Sequence, residues 1–269
     1  MRKRGMRMTN CNCNAQEVND YILPVVKNKK LAERLYWMTF EAPALAESVR
    51  AGHSIMVFPN QGTDPLLGRP FAVADADAAR GEISLCYVLV GRGTEMMSRV
   101  SAGAKLRVRG FLGKPCPDTD DELILAGGGV GAAALMMKKR ERRERSSLYI
   151  GMPGRGYEGY AEEILSIHPD VKIFADDGSF GEGDSMFKVL PRPLGEGVQA
   201  WCCGPGGFLE AMRRHYVDTP RRLYYLLDKR MACGYGGCMG CVIETANGLK
   251  RVCVDQSLFR ADEVNIHDN

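Results

Sequence analysis

The 269-residue sequence predicts a multidomain β plus α/β chain: an antiparallel β-barrel, a parallel-sheet α/β domain, and a small cysteine-bearing domain at the C-terminal end. Three observations predict it. Short β-type apolar runs separated by Gly, Pro or polar breaks fill residues 18–117. Over 118–222 the texture changes to strand, glycine turn, helix. From 223 to 269 the dominant feature is MACGYGGCMGC, 231–241, with three thiols and four glycines in a span too short to make a core. Units that small need a staple other than apolar burial.

Taken in order, residues 1–17, with Cys11 and Cys13 in CNCN, lack periodicity and read as a flexible tail. YILPVV, RLYWMTF, HSIMVF, FAVAD, ISLCYVLV and KLRVRGFL are the barrel strands. ELILA, GGGVG and AAALMMKKRERRER follow as strand, turn and helix, then the strands SLYIGM, VKIFADD and VQAWCC, the last leading through GPGG into the helical FLEAMRRHY. Alternation of this kind makes a parallel sheet covered by helices. YYLLD is a further strand, and CVIET and LKRVCV form a hairpin across Ala246-Asn247-Gly248, since Asn-Gly between β-type runs favours a tight turn.

Charge and composition exclude several classes. The formal net charge is +3, and the basic run KKRERRERS, 138–146, continues a helical pattern without a breaker. It reads as the solvated end of a helix with cations at the negative end of the dipole. No aromatic interleaving accompanies it, so no nucleic-acid partner is expected. Apolar runs fall short of the roughly 18 residues of a membrane span, and MRKRGMRMTN precedes no apolar segment of the export type. Ten cysteines, four at ligand-like spacing, suit a reducing compartment, and the chain reads as cytoplasmic.

Cys233, Cys238, Cys241 and Cys253 give C-x4-C-x2-C-x11-C, the plant-type arrangement for a 2Fe-2S cluster. A loop wrapping an inorganic core must converge its thiolates without bulky side chains, which Gly234, Gly236, Gly237 and Gly240 permit. Four thiolates also make a zinc site, although zinc ribbons usually pair two C-x2-C knuckles. LILAGGGVGAAAL, 123–135, ends a strand in Gly127, Gly128, Gly129 and Gly131 at a helix start, where a pyrophosphate can approach the backbone; tight turns of ordinary α/β domains use Gly as well. After the second strand the carboxylate that reads a ribose is missing, and Arg155 follows instead. Cys203, Gly204 and Pro205 form another strand-to-helix turn, with Cys203 either against a cofactor ring or inertly buried. ADDGSFG, 175–181, is a polar loop of open role. RPFAVAD, 69–75, begins with a cation beside a proline, and GRGTEMMS offers Thr94 as N-cap of a short helix able to receive a phosphate. His53, His168, His215 and His267 have neither metal nor triad spacing, so no catalytic residue is expected.

In this order the motifs resemble the ferredoxin-reductase-like flavoproteins, and KRMACGYGGCMGC resembles the electron-transfer subunits of two-subunit, NAD-dependent dihydroorotate dehydrogenase. The resemblance covers about 18–260. It implies FAD contacts from Arg69, Pro70, Phe71 and Ala72, from Cys86, Tyr87 and Val88, and from Gly93 and Thr94. It implies NAD(H) contacts from Gly127, Gly128, Gly129, Gly131, Cys203, Gly204 and Pro205, and cluster ligation by Cys233, Cys238, Cys241 and Cys253. Ala72 stands where the family commonly has Ser, and Val88 where Arg is common.

The implied function is electron transfer in pyrimidine biosynthesis. NADH gives two electrons at once, the cluster takes one, and FAD joins the two regimes. The implied partner is an FMN-containing dihydroorotate dehydrogenase catalytic subunit, in a heterotetramer of two of each chain. The alternative expectation is a ferredoxin/NAD(P)H oxidoreductase-type flavoprotein serving another acceptor.

Overall fold

The computed structural model describes residues 18–60 and 62–266. Cys11, Cys13, the expected tail and His267 lie outside the described residues. Seven strands build the first sheet: β1 (Asn19–Lys30), β2 (Leu35–Glu41), β3 (Ser54–Phe58), β4 (Arg69–Ala72), β5 (Asp75–Asp77), β6 (Glu82–Val88) and β7 (Lys105–Leu112). Helix α1 (Pro43–Ser48) lies between β2 and β3, and α2 (Arg92–Ser98) between β6 and β7. The order is β4-β3-β7-β1-β2-β6-β5, and every pairing is antiparallel. Because β4 and β5 sit at opposite edges yet are separated by Val73 and Ala74 alone, the chain itself curls the sheet into a barrel. Val73 N–H bonds the His53 carbonyl and Ala74 N–H the Ser84 carbonyl, which fastens both edges. Strands such as β2 are apolar without clean alternation because both faces are covered: Trp37, Met38 and Phe40 are all buried.

The second sheet holds β8 (Glu122–Gly128), β9 (Ser146–Met152), β10 (Lys172–Ala175), β11 (Val198–Cys203) and β12 (Leu223–Leu226), all parallel, with α3 (Ala133–Glu141), α4 (Glu158–Ile167) and α5 (Gly206–His215) as crossovers. β13 (Val242–Thr245) and β14 (Gly248–Arg251) form the hairpin, and β15 (Leu258–Arg260) returns to pair antiparallel with β12. The order β10-β9-β8-β11-β12-β15 reverses direction between β8 and β11, the switch point at which open α/β sheets bind ligands. Among the described residues no helix is long and apolar enough to cross a membrane.

The reading of 138–146 as a solvated helix end holds for Arg140, Glu141 and 143–145, which are exposed, and is corrected at its first two residues. Lys138 and Lys139 are 1% and 2% exposed, because α3 packs between its own sheet and β5 of the barrel. Lys139 Nζ donates to the carbonyls of Arg143 (3.0 Å) and Ser146 (2.8 Å) and pairs with Asp170 at 2.6 Å. Lys138 Nζ lies 3.3 Å from Glu141 and 5.2 Å over the Trp201 ring. Buried ammonium groups persist here because each has donors matched to acceptors and a carboxylate. Glu141 also accepts the Ala51 N–H at 2.8 Å, tying α3 to the barrel.

Candidate functional site

Within the barrel β4 and β6 bring a tilted pair of rings together, the half-buried Phe71 over the buried Tyr87. Phe71 and Tyr87 have centroids 5.8 Å apart, and Tyr36 stacks on Tyr87 at 5.4 Å. The Tyr87 hydroxyl donates to Asn28 Oδ1 at 3.0 Å, and Asn28 Nδ2 donates to the carbonyls of Met97 (2.9 Å) and Val100 (2.8 Å), so this ring is fixed to the end of α2. The Arg69 side chain lies directly on Gly93, where a Cβ would overlap Arg69 Nε and push the guanidinium aside. The guanidinium of Arg69 therefore lies on the first turn of α2, where the N–H groups of Arg92, Gly93 and Thr94 precede the first intrahelical bond, from Glu95 to Gly91.

Thr94 is not the N-cap. It is the third residue of α2, and its hydroxyl reaches back to accept the N–H groups of Val90 (3.0 Å) and Gly91 (3.2 Å) while donating to the Gly91 carbonyl at 2.8 Å. The extended Gly91 occupies the cap position, so Thr94 shapes the turn and leaves the helix's first N–H groups open. Ala72, opposite Ser54, brings no hydroxyl of its own, and Val88 pairs with Leu35. Cys86 is not gathered with these rings by its thiol: it contacts Tyr160 of α4, and burial pushes its pKa up. Its place is the seam between barrel and parallel sheet.

At the switch point the two glycine turns touch. A Cβ on Gly131 would stand 2.7 Å from the Cys203 carbonyl and from Gly204 Cα, and one on Gly204 would stand 3.1 Å from Gly128 Cα. Gly127 has the same constraint against Ala132 Cα, at 2.4 Å. The two turns therefore meet backbone to backbone, with the Phe208 ring packed against Gly128 and Gly204, and it is glycine backbone that a pyrophosphate would approach here. Cys203 is half-buried there, its thiol pushed up by burial. Tyr160 donates to the Gly129 carbonyl at 3.4 Å.

The loop after β10 acquires a role that its sequence left open. The Asp177 carboxylate accepts the N–H groups of Arg155 and Ser179, each at 3.0 Å, and lies where a Gly154 Cβ would come within 1.9 Å. Bonds from Ser179 and from the Arg155 N–H hold its pKa down to about 2. An Asp followed by Gly-Ser is the local signal for such a turn.

The cysteine loop holds its thiols as two pairs. Cys241 and Cys253 are 3.2 Å apart, and the hydrogen bond between their sulfurs lowers the pKa of Cys241 and raises that of Cys253. Cys233 and Cys238 form the other pair. Burial raises Cys233, but the N–H groups of Cys238, Tyr235 and Gly237 and the Cys238 thiol outweigh it and bring Cys233 to about 7. Tyr235 N lies 3.3 Å from Cys233 Sγ and Gly240 N 3.4 Å from Cys238 Sγ. Among the described residues no three His, Cys, Asp or Glu side chains gather in the manner of a single-ion site. Two thiols plus two, with N–H groups aimed at sulfur, suit the C-x4-C-x2-C-x11-C spacing of a 2Fe-2S site. The loop rests on the barrel: the Gly113 N–H bonds the Cys253 carbonyl at 2.7 Å and Arg109 bonds the Cys233 carbonyl at 2.9 Å. Sequence reasoning missed Arg109, whose partners come from distant strands.

A barrel whose β5 and β6 pack on the switch-point turn and first helix of a parallel sheet, with paired thiols lodged against the barrel, is the architecture of the ferredoxin-reductase-like, pyridine-nucleotide-linked iron-sulfur oxidoreductases. Comparison with known structures agrees on the fold. The chain resembles the NADH-dependent reduced ferredoxin-NADP oxidoreductase structure with a TM-score of 0.77, at 23% identity, over 92% of this chain and 91% of that one. It resembles phthalate dioxygenase reductase with a TM-score of 0.61, at 16% identity, over 88% and 95%. Residues 228–265 match the family model of the iron-sulfur cluster binding domain of dihydroorotate dehydrogenase B. The chain is 31% identical to the dihydroorotate dehydrogenase B (NAD(+)) electron transfer subunit homolog of Aquifex aeolicus (strain VF5), over 89% of this chain and 96% of that one. With the electron transfer subunit of Geobacillus kaustophilus (strain HTA426) it shares 28% over 90% and 97%. The chain belongs to the family of dihydroorotate dehydrogenase B electron transfer subunits.

Proposed function

We propose that this chain passes electrons between NAD(H) and an FMN-containing dihydroorotate dehydrogenase catalytic subunit, within a heterotetramer of two of each chain in the cytoplasm. The observation that carries the reading is the placement of two thiol pairs directly on the barrel that would hold FAD, through the Gly113–Cys253 and Arg109–Cys233 bonds. When bound, FAD accepts electron pairs from NADH, and a 2Fe-2S cluster passes electrons singly. Residues 18–117 would serve the flavin, 118–222 the nucleotide and 223–269 the cluster.

On this reading Arg69 and the open N–H groups of α2 bind the FAD phosphates, and Phe71, Ala72, Tyr87 and Val88 line the path of the flavin, the Tyr87 hydroxyl being engaged by Asn28. Gly127, Gly128, Gly129, Gly131, Gly204 and Pro205 expose backbone to the nucleotide, and Cys203 closes the crevice beside it. Cys233, Cys238, Cys241 and Cys253 ligate the cluster. Tyr235 and Met239, 52% and 49% exposed beside Cys238, mark the face on which the catalytic subunit docks, since electron transfer requires closeness. Met239 holds a φ of 57°, in the left-handed region that a non-glycine residue rarely adopts.

Met239→Ala is expected to weaken complex formation in a pull-down with the catalytic subunit, while NADH still bleaches the bound flavin; unchanged complex formation would refute the docking face. Ala72 supports a second reading. Lacking the hydroxyl that the family commonly offers the flavin, the chain could be tuned to another acceptor, and orotate formation with the purified partner present decides between the two.

A further inference from the structure

We propose that Arg109 is a positioning residue for the cysteine loop and that, with Asp20, it sets the reduction potential of the cluster. This rests on the reading that Cys233, Cys238, Cys241 and Cys253 hold a 2Fe-2S group. Arg109 leaves β7 of the barrel, and its side chain is 14% exposed. Nη1 donates to the Cys233 carbonyl at 2.9 Å, while Nε and Nη2 donate to the two oxygens of Asp20 on β1 at 2.6 and 2.9 Å. The same plane lies 4.4 Å from the Tyr235 ring centroid and 5.2 Å from that of Phe58. One rigid group thus joins two barrel strands to the first ligand of the loop and to the ring two residues beyond it. Such a fork-to-carboxylate bond fixes direction as well as charge.

The far part of the loop repeats the device. Arg251 donates to the Gly236 carbonyl at 3.0 Å and holds Asp255 through two bonds, at 2.9 and 3.0 Å. The two clamps differ in origin. Arg251 and Asp255 belong to the cysteine-bearing segment itself, whereas Arg109 and Asp20 belong to the barrel. Arg109 is therefore the side-chain tie to the barrel at the Cys233 end of the loop, as the Gly113–Cys253 backbone bond is at the other end.

The same pair carries an electrostatic consequence. Reduction adds negative charge beside Cys233, which a fixed cation favours and a fixed anion opposes. Arg109 is tempered by Asp20, and Asp20 in turn is shared with Arg107, 3.3 Å away on the same strand as Arg109. Removing the Arg109 charge leaves Asp20 beside the loop and lowers the potential. Removing the Asp20 charge leaves two cations and raises it. A purely mechanical role would loosen the loop in both variants and give no such opposition of sign.

The test is a potentiometric titration of the full chain, purified without oxygen, following the electron paramagnetic resonance of the reduced cluster. Arg109→Gln is expected to lower the midpoint, Asp20→Asn to raise it, and Arg109→Lys to return it towards the parent value while holding the loop less firmly. Shifts in the same direction, or none, would overturn the proposal. Should Arg109→Gln fail to retain its cluster, Asp20→Asn and Arg109→Lys still decide it: an unraised midpoint in the former refutes it. A parent protein without iron and acid-labile sulfide would instead refute the ligand assignment on which the proposal stands.

Discussion

Glycine is used in different proportions in the two loops that define this molecule. In the nucleotide turn Gly127, Gly128 and Gly131 are needed for space, since any Cβ would strike Ala132, Phe208 or the Cys203 backbone within 2.7 Å, and Gly129 alone, at a φ of +55° with nothing near its Cβ, is needed for conformation. In the cysteine loop Gly234 and Gly236 are needed for conformation, at φ values of +76° and +80°. Gly237, between them and Cys238, meets neither demand, because a Cβ there has nothing within 4 Å. The nucleotide turn is a close-packed junction of two backbones; the cysteine loop is a chain path bent around its sulfurs. Equal substitutions should therefore fail for different reasons.

The comparison breaks most sharply at a ligand. Cys253→Ser is expected to abolish iron and acid-labile sulfide while NADH still bleaches the flavin, and loss of both would show that the two loops are not separate devices. Gly131→Ala comes next. Its methyl group would press on backbone that cannot rotate away, and overpacking of this kind costs about 1–3 kcal/mol, with a rise of roughly tenfold in the KM for NADH. Thermal unfolding and flavin-bleaching kinetics measure the two effects, and the cluster content should stay at the parent level. Gly236→Ala is smaller. A left-handed residue costs about 1–2 kcal/mol, but the Cβ would meet the movable ends of Val254 and Arg251, so the expected loss is of cluster retention in mild denaturant. Gly237→Ala should be silent, within about 0.5 kcal/mol, which sets the baseline for the series.

Features written in short stretches were legible before any coordinates. The strand runs, the Ala246-Asn247-Gly248 hairpin, the glycine turns and the four cysteines are local patterns, and the sheets and thiol pairs place them together. What escaped depended on partners far along the chain. Lys138 and Lys139 look solvated until α3 is seen between two sheets, with Asp170 and the Ser146 carbonyl supplying what water would have. Thr94 differed from its expected place by a matter of residues, because a hydroxyl at the cap and one at the third helical position leave similar marks in sequence. Arg109 is one cation among several on an alternating strand, and only Asp20 and Cys233, 89 and 124 positions away, reveal its work.

The strand after the thiols has a consequence for how such chains can be rebuilt. Leaving β12 at Leu226 and rejoining it at Leu258, the polypeptide makes the metal-bearing stretch a detour stitched into the neighbouring sheet at both ends. It cannot be exchanged like a tail. Cutting it away would also strip β15 from the edge, baring a row of unsatisfied backbone groups on which another chain could add a strand. The same stitch that brings the sulfurs to the barrel thus guards the sheet against association.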